Sequence, residues 1–503
     1  MHPMTSGDVF NFIKEAGLPR QLEASVTQLF EAIHQGHTAQ HLSNEEADRW
    51  AQTLTNSELA TLFAVNHDAL QIRRHFAQES RVADALQKRS RLPTLTISID
   101  PRELMPDADP SQTHAIVGAA KQHLAIVTGG PGTGKTSTAA AIVAAKRTLF
   151  ERQPRIALIA PTGKAAVRLT ESFQAAISTM PLVDLEPVLA TTIHRQLKEL
   201  DSADIVLIDE ASMVSLDLFD RVLQSLADHA HLVLMGDPNQ LASVEAGSIL
   251  KVLTESNRLS HHCFELTQRH RIGGQATLAQ LQDLCLSGDS EHFIQGLRDS
   301  GTFWEDNQRV DRLQSALING YRPYFEGLQR TRTPVSPDFQ CLTAISEGIG
   351  GRRMINHLVQ GETQRLGLNG FGERLLITEN QAGIGVFNGD IGTVVDCYDS
   401  PNPRVQFENL DQPLRKNQLG SVESAWAISI HRSQGSEYQS VFICLPEPIT
   451  SQSGFKPSRE LIYTALTRAK ESIQLFATES MIAQAISQTT HRATCLDHFL
   501  NVS

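Results

Sequence analysis

The chain has 503 residues and a formal net charge of −12, and 41% of its residues are hydrophobic against 20% that are charged. This length predicts about three globular domains, and the balance of apolar and charged residues excludes a disordered or fibrous chain. The acidic charge argues against a protein that coats nucleic acid unselectively, although local Lys and Arg residues still permit a DNA path.

The first block of predicted structure, residues 1–105, is mostly helical, with apolar residues at helical spacing in VFNFIKEAGL and LEASVTQLFEAI. Such helices bury their apolar faces either against each other or against another protein, and we expect this domain to dock a partner. The faces comprise Phe10, Phe12, Ile13, Leu18, Leu22, Val26, Leu29, Phe30 and Ile33. The Pro- and Asp-rich segment IDPRELMPDADPSQ follows as a linker.

Two α/β blocks are predicted after the linker. In residues 106–264 the apolar runs LAIVT, IALIA, DIVLID and HLVLMGD alternate with helical segments, as a parallel sheet with crossover helices requires. Residues 265–503 repeat this alternation with QCLTAIS, SVFICLP and RELIYTALTRAKESIQLFA. Within them, about 372–425 carries the runs ERLLIT, IGTVVD and PRVQF, which predict a small β insertion. The expected fold class is α/β.

No segment predicts a membrane span or export. The apolar run at residues 139–145 is far shorter than the ~20 residues that a span needs. The N-terminal MHPMTSGDVF lacks a basic segment followed by an apolar core. The six cysteines lie apart without a C-x-x-C pair, which favours buried free thiols over a zinc or iron–sulfur site. We therefore expect a cytoplasmic protein without a membrane partner.

The strongest motif is GGPGTGKT, which fits G-x-x-x-x-G-K-[ST] and stands between the strand LAIVT and a helix. Its glycines let backbone N–H groups surround a polyphosphate at a helix N-terminus. Lys135 is placed to neutralise the β and γ phosphates, and Thr136 to ligate Mg²⁺. The predicted cofactors are ATP and Mg²⁺, and the predicted nucleotide-binding residues are Gly129, Gly130, Pro131, Gly132, Thr133, Gly134, Lys135, Thr136 and Ser137.

A pair of acidic residues, Asp209 and Glu210, ends the apolar run DIVLI about 75 residues after this loop. A carboxylate at a strand tip can hold Mg²⁺ and a second can align and deprotonate water, so we assign Asp209 to the metal and Glu210 to the attacking water. Together the two motifs indicate a nucleotide hydrolase with a parallel sheet. A kinase, a GTPase and a hexameric ring ATPase all remain open at this point.

Further motifs resemble those of the superfamily 1 helicases and, within them, the RecD family of exonuclease V (RecBCD) alpha subunits. The resemblance runs in order from about residue 110 to the C-terminus. Its motifs are SQTHAIV, IALIAPTGKAAVRLTES, TTIHRQL, IDEASMV, MGDPNQLASVEAG, LTQRHRI, FNGDIG, AWAISIHRSQGSEYQSV and RELIYTALTRAK. The sequence departs from the family at His270, where an aromatic residue is more frequent, at Arg432, where lysine is common, and in its short N-terminal region.

The resemblance implies roles for residues outside the two nucleotide motifs. Gln112 takes the place of the adenine-reading glutamine, and Gln240 that of the γ-phosphate sensor. Arg271 and Arg468 take the places of two arginine fingers. Thr162, Gly163 and Lys164 follow a strand tip at the edge of the phosphate-binding loop, where backbone N–H groups, a hydroxyl and a lysine suit a DNA phosphate. By resemblance alone, the DNA contacts also include His194, His431 and Ser433.

The resemblance also implies two RecA-like domains with ATP between them and single-stranded DNA across their tops. It implies 5′-to-3′ travel, work at duplex DNA ends, and a heterotrimer with a RecB-like helicase–nuclease and a RecC-like scaffold, in which the nuclease belongs to the partner. A free-standing RecD-like translocase and a conjugation-type helicase are the alternatives. A DNA-binding scaffold whose ATPase has decayed is disfavoured, because the six predicted ATPase side chains from Lys135 to Arg468 are intact.

Overall fold

The computed structural model describes residues 12–55, 57–98, 100–180, 185–270, 275–305, 310–331, 338–368, 370–396, 402–408, 410–446 and 457–501. The helices are α1 Glu23–His34, α2 Asn44–Leu54, α3 Arg73–Ser90, α4 Pro110–Ala120, α5 Lys135–Arg147, α6 Gly163–Thr179, α7 Ile193–Gln196, α8 Leu216–Ser225, α9 Ile249–Glu255, α10 Gln275–Ser287, α11 Ser290–Asp299, α12 Val310–Thr331, α13 Arg352–Arg365, α14 Arg459–Thr467, α15 Glu479–Ser487 and α16 Leu496–Asn501.

The strands are β1 Gln40–His41, β2 Phe63–Asn66, β3 Ala69–Ile72, β4 Leu124–Gly129, β5 Ile156–Ala160, β6 Thr191–Thr192, β7 Ile205–Ile208, β8 His231–Gly236, β9 Cys263–Leu266, β10 Phe303–Glu305, β11 Phe339–Thr343, β12 Arg374–Ile377, β13 Ile391–Val394, β14 Arg404–Phe407, β15 Leu414–Arg415, β16 Val422–Ser424, β17 Ala427–Ser429, β18 Tyr438–Leu445 and β19 Ala469–Ala477. They form two parallel and two antiparallel sheets.

The N-terminal region combines α1, α2 and α3 with an antiparallel sheet of order β1-β3-β2. A capping box of Ser43 and Glu46 starts α2. The sequence did not predict the β2–β3 hairpin, because each of its strands has four residues, too few for alternation to stand out. Most described apolar residues of the predicted helical faces pack in a local core with Trp50 and Phe63, so their burial does not require a partner. Phe12 is the exception and is 53% exposed, and Phe10 lies outside the described residues.

The first parallel sheet has the order β6-β5-β7-β8-β4-β9. The carboxyl ends of its strands meet at one edge, which brings together the segments that follow β4, β5, β7 and β8. The predicted boundary between residues 264 and 265 falls inside β9. Since β9 pairs with β4 from Ile126 to Gly129, the first sheet continues to Leu266.

The second parallel sheet has the order β10-β19-β18-β11-β17. Between β11 and β18 the chain forms α13 and then an antiparallel sheet of order β15-β14-β13-β12-β16, with a core of its own that includes Val394, Val405 and Phe407. This sheet occupies residues 374–424, the part of the chain where a β insertion was predicted.

The C-terminal segment leaves the second domain after α15 and returns to the first. Leu496 and Leu500 of α16 lie in the core of the first parallel sheet, beside Val82 and Leu86 of α3. The predicted second block, residues 265–503, therefore ends in a segment that packs on the first block and on the N-terminal region. Sequence alone did not indicate this because α16 has only six residues.

Three further expectations concern membranes, thiols and metals. No described helix is long and apolar enough to span a bilayer. Five of the six cysteines are described as free thiols, four of them buried and Cys263 partly exposed, while Cys397 lies outside the described residues. Within the described ranges, His, Cys, Asp and Glu side chains form no group of three or more that could hold a metal ion.

Candidate ATP and DNA sites

Strand β4 leads directly into the phosphate-binding loop, and α5 begins at Lys135. Gly132 and Gly134 have φ values of 76° and 77°, in the left-handed region that favours glycine. The Lys135 ammonium donates to the carbonyl oxygens of Gly129 and Gly130 at 2.8 and 3.1 Å. The loop therefore has the backbone turn that presents N–H groups to a polyphosphate at the N-terminus of a helix.

A cavity of about 590 Å³ lies between the two parallel-sheet domains. Most residues of the predicted nucleotide site line this cavity. The predicted residues that line it are Pro131, Gly132, Gly134, Lys135, Thr136, Ser137, Asp209, Glu210, Gln240 and Arg468. Helix α6 supplies one wall and the segment before β18 supplies another.

Asp209 and Glu210 follow β7 at the edge of the first sheet. Glu210 has φ 51° and ψ 42°, and only one other described non-glycine residue has a positive φ. Its N–H donates to Oδ1 of Asp209 at 2.8 Å. A left-handed conformation costs a side-chain-bearing residue roughly 1–2 kcal/mol, and such strain concentrates at functional sites. No sequence signal predicted this conformation.

The acidic pair suits a divalent cation. Burial and the neighbouring Glu210 charge raise the pKa of Asp209, whereas Lys135 and Arg168 lower it. The Thr136 hydroxyl lines the same cavity, so a carboxylate and a hydroxyl, both hard oxygen donors, are available there. Mg²⁺ held by these oxygens would offset the burial and the Glu210 charge that raise the Asp209 pKa, and the donor set therefore fits this ion.

Gln240 and Arg468 meet across the interdomain cleft. Nη2 of Arg468, which is buried, donates to Oε1 of Gln240 at 2.9 Å. Nη1 of Arg468 donates to the carbonyl of Ser436 at 3.1 Å, and Nε to that of Thr464 at 3.2 Å. Burial lowers the pKa of Arg468, and the charges of Glu210 and Glu437 act in the opposite direction. The predicted γ-phosphate sensor of one domain thus contacts the predicted arginine finger of the other.

Sequence reasoning missed three residues in this cleft. Tyr463 of α14 donates its hydroxyl to Oδ2 of Asp237, the residue after β8, at 3.0 Å. Burial raises the pKa of the Asp237 carboxyl. Arg168 of α6 lines the cavity and forms an ion pair with Glu437 at 2.7 Å. All three residues stand in recognised motifs, MGDPNQLASVEAG, IALIAPTGKAAVRLTES and RELIYTALTRAK, but the sequence alone gave none of them a role.

Gln112 lies behind the phosphate-binding loop and is not among the residues that line the cavity. Its Nε2 donates to the carbonyl of Thr133 at 3.1 Å, and its Oε1 accepts the backbone N–H of Asp109 at 3.1 Å. His270 contacts both segments: its ring Nε2 lies 2.7 Å from the Asp109 carboxylate, and its backbone N–H donates to the Gly132 carbonyl. Gln112 therefore braces the loop here, and its adenine-reading role stays a prediction.

Arg271, the other predicted arginine finger, lies outside the described residues. Its role stays a prediction.

Three predicted residues of the phosphate-binding loop do not line the cavity: Gly129, Gly130 and Thr133. They hold the shape of the loop. The Thr133 hydroxyl donates to the Gly130 carbonyl at 2.9 Å.

A second cavity, of about 390 Å³, collects four of the six predicted DNA contacts: Thr162, Lys164, His194 and His431. We call it the second cavity below. Thr162 caps α6, since its hydroxyl accepts the N–H of Ala165 at 3.2 Å. A lysine, histidines and a capped helix N-terminus suit a nucleic-acid backbone.

Two predicted DNA contacts lie elsewhere. Ser433 is fully buried, and its hydroxyl donates to the carbonyl of Ile430 at 2.7 Å, so it shapes the loop instead of facing the cavity. Gly163 packs against the Phe387 ring of the insertion, where a Cβ atom would lie 2.5 Å from the ring. Val244, missed by sequence reasoning, lines the second cavity and is 77% exposed.

Comparison with known proteins assigns the family. A model described as an AAA domain matches residues 107–308, and one described as a UvrD-like helicase C-terminal domain matches residues 424–475. The RecBCD enzyme subunit RecD of Mycolicibacterium smegmatis is 32% identical over 494 residues, which cover 90% of this chain and 86% of that protein. The chain belongs to the RecD family.

A second RecD relative agrees with this assignment. The RecD subunit of Mycobacterium tuberculosis is 33% identical over 432 residues, covering 79% of this chain and 74% of that protein. Among solved structures, Bacteroides Pif1 bound to single-stranded DNA aligns with a TM-score of 0.42 at 15% identity, over 74% of this chain and 93% of its own. The predicted family is confirmed: the chain is a RecD-type ATP-dependent DNA helicase, and its fold has two α/β domains with parallel sheets.

Proposed function

We propose that this RecD-family helicase is the 5′-to-3′ motor of a RecBCD-type complex that processes double-strand breaks for recombinational repair. Its partners in this proposal are a RecB-like helicase–nuclease and a RecC-like scaffold, as the names of the matched RecBCD subunits suggest. The direction of travel rests on the family resemblance.

The observation that carries a motor role is the hydrogen bond between Gln240 and Arg468, which joins the two RecA-like domains across the ATP cavity. A side chain from each domain is thus placed to respond to the same phosphate. Lys135 binds the β and γ phosphates, Glu210 orients and deprotonates water, and Arg468 matches transition-state charge. Mg²⁺, held by Thr136 and Asp209, would neutralise phosphate charge.

The same two domains also line the second cavity. When the ATP cleft opens or closes, the contacts that these domains make with DNA therefore change. Thr162, Lys164 and His194 belong to the first domain and His431 to the second. Closure of the cleft by ATP therefore moves these two groups of side chains relative to one another. Alternating grip along one strand is the movement that a translocase requires.

The purified chain tests the motor. ATP turnover should rise with single-stranded DNA, and a substrate with a 5′ overhang should be unwound in preference to one with a 3′ overhang. Turnover that is indifferent to single-stranded DNA would contradict the motor role, and preference for a 3′ overhang would contradict the polarity. Co-purification with RecB-like and RecC-like subunits tests the complex. A chain that unwinds DNA but assembles with neither is a free-standing translocase.

A further inference from the structure

The segment from Asp237 to Gly247 connects the two cavities. It begins after β8 with the ATP-cavity residues, and Gln240 contacts Arg468 there. Its middle, Ser243 to Glu245, lines the second cavity. We call residues 237–247 the connecting loop. A loop that reaches both sites can transmit a change from one to the other only if its conformation is held.

The ATP end of the connecting loop is held by the second domain. The backbone N–H of Leu241 donates to the Thr464 hydroxyl at 2.8 Å, and the Leu241 carbonyl accepts Nε2 of Gln434 at 2.9 Å. Both partners belong to helicase motifs recognised in the sequence. This half of the loop therefore follows movements of the second domain.

The far end is held by residues outside every recognised motif. Nη1 of Arg492, in the C-terminal segment, donates to the carbonyls of Glu245 and Gly247 at 2.9 and 2.8 Å. The Gly247 N–H donates to the carbonyl of Gly36, in the N-terminal region, at 2.9 Å. One guanidinium nitrogen thus binds two carbonyl oxygens of the loop, and the exposed Val244 immediately precedes the first of these residues in the chain.

The N-terminal region holds the Arg492 guanidinium in place. The guanidinium lies against the backbone of Gly36, where a Cβ atom would come within 2.5 Å of its Cζ, and Gly36 has a φ of +88°. The neighbouring Ala493 donates its N–H to Nδ1 of His37 at 3.0 Å, and its carbonyl accepts the Thr38 N–H at 2.9 Å. These bonds fix Arg492 from the N-terminal side.

We propose that Arg492 is a positioning residue of the helicase reaction, which holds the connecting loop so that DNA in the second cavity accelerates ATP turnover. The inference rests on the proposed DNA role of the second cavity. Arg492 lines neither cavity, and its hydrogen bonds to the connecting loop go to the carbonyls of Glu245 and Gly247. Without Arg492 the two carbonyls keep the hydrogen bonds from the Ser243 hydroxyl, at 2.9 and 3.4 Å, but these bonds lie within the loop. The loop then loses its tie to the C-terminal segment, and the two sites become uncoupled.

The test compares Arg492→Met with wild type in the full chain. We expect basal ATP turnover to be unchanged, the stimulation by a poly-dT oligonucleotide to fall about tenfold, and the DNA concentration for half-maximal stimulation to rise, as for loss of charged hydrogen bonds. Arg492→Lys, which keeps a donor, should restore part of the stimulation. The KM for ATP without DNA should stay constant.

Arg89→Met is the matched control. Arg89 is buried and, like the partly buried Arg492, donates to main-chain carbonyls, those of Ala85 and Ala227, but it lines neither cavity. The Arg89→Met variant should have a lower free energy of unfolding, while DNA should stimulate its ATP turnover as in wild type. If wild type is stimulated and Arg492→Met is stimulated equally, the positioning role is wrong. If wild type itself is not stimulated by DNA, the proposed function fails first. An equal loss of stimulation in Arg89→Met would also overturn the inference, because the effect would then be one of general stability.

Discussion

Lys146 presents a test of the energetics of the first domain. It is fully buried at the end of α5, and its ammonium donates to the carbonyls of Ala120 and Gln122 at 3.2 and 2.5 Å. Burial lowers the pKa of Lys146 from 10.5 to about 7. Between those pH values the unfolded chain binds a proton at this group that the folded protein does not bind. The free energy of unfolding should therefore rise with pH in this window.

The magnitude follows from the pKa difference. One proton corresponds to about 1.4 kcal/mol per pH unit, so Lys146 adds about 2 to 3 kcal/mol to the free energy of unfolding between pH 7.5 and 9.5. Below pH 7 the lowered pKa of Lys146 reduces the free energy of unfolding by a constant amount, and above pH 10.5 this reduction disappears. The neighbouring His123 and His231 titrate below the window, because burial lowers the pKa of both.

The perturbation is Lys146→Met, which keeps an unbranched side chain, shorter by one heavy atom, and removes its charge. Urea unfolding of wild type and variant at pH 7.5, 8.5 and 9.5 measures the difference, since other titrating groups contribute equally to both proteins. We expect wild type to gain stability relative to the variant as the pH rises. Parallel profiles for the two proteins would refute the reasoning, because Lys146 would then titrate alike in the folded and unfolded states.

Other predictions concern the motor and its assembly. Lys135→Ala should abolish ATP turnover without changing the melting temperature, because Lys135 contacts only loop carbonyls; substantial remaining turnover would contradict its role. Arg468→Ala should reduce turnover by about 10³-fold or more and ATP affinity far less, and equal losses would make it an ordinary binding residue. Deleting residues 1–100 should destabilise the first domain, since α3 contributes to its core. Phe12→Glu is therefore the sharper docking test: it should weaken co-purification with the scaffold subunit while DNA-stimulated turnover persists, and normal assembly would place the docking surface elsewhere.

The sequence by itself determined the parts of this protein that depend on local geometry. The phosphate-binding loop, the acidic pair after β7 and the two sets of alternating strands and helices each lie within a short stretch of chain. Glycine conformation, strand periodicity and helix caps act over a few residues, so these features are readable without a structure. The β insertion was predicted for the same reason, from runs separated by turn residues.

Only the tertiary structure decided which of these segments meet. The Gln240–Arg468 bond joins residues 228 positions apart, and the C-terminal segment returns to α3 through contacts that no local pattern encodes. The tertiary structure also placed Gln112 behind the phosphate-binding loop and Ser433 in the protein interior. The family motifs had suggested that both residues contact ligands. Burial and hydrogen bonding across domains depend on how whole sheets pack, and a motif specifies a side chain but not what lies opposite it.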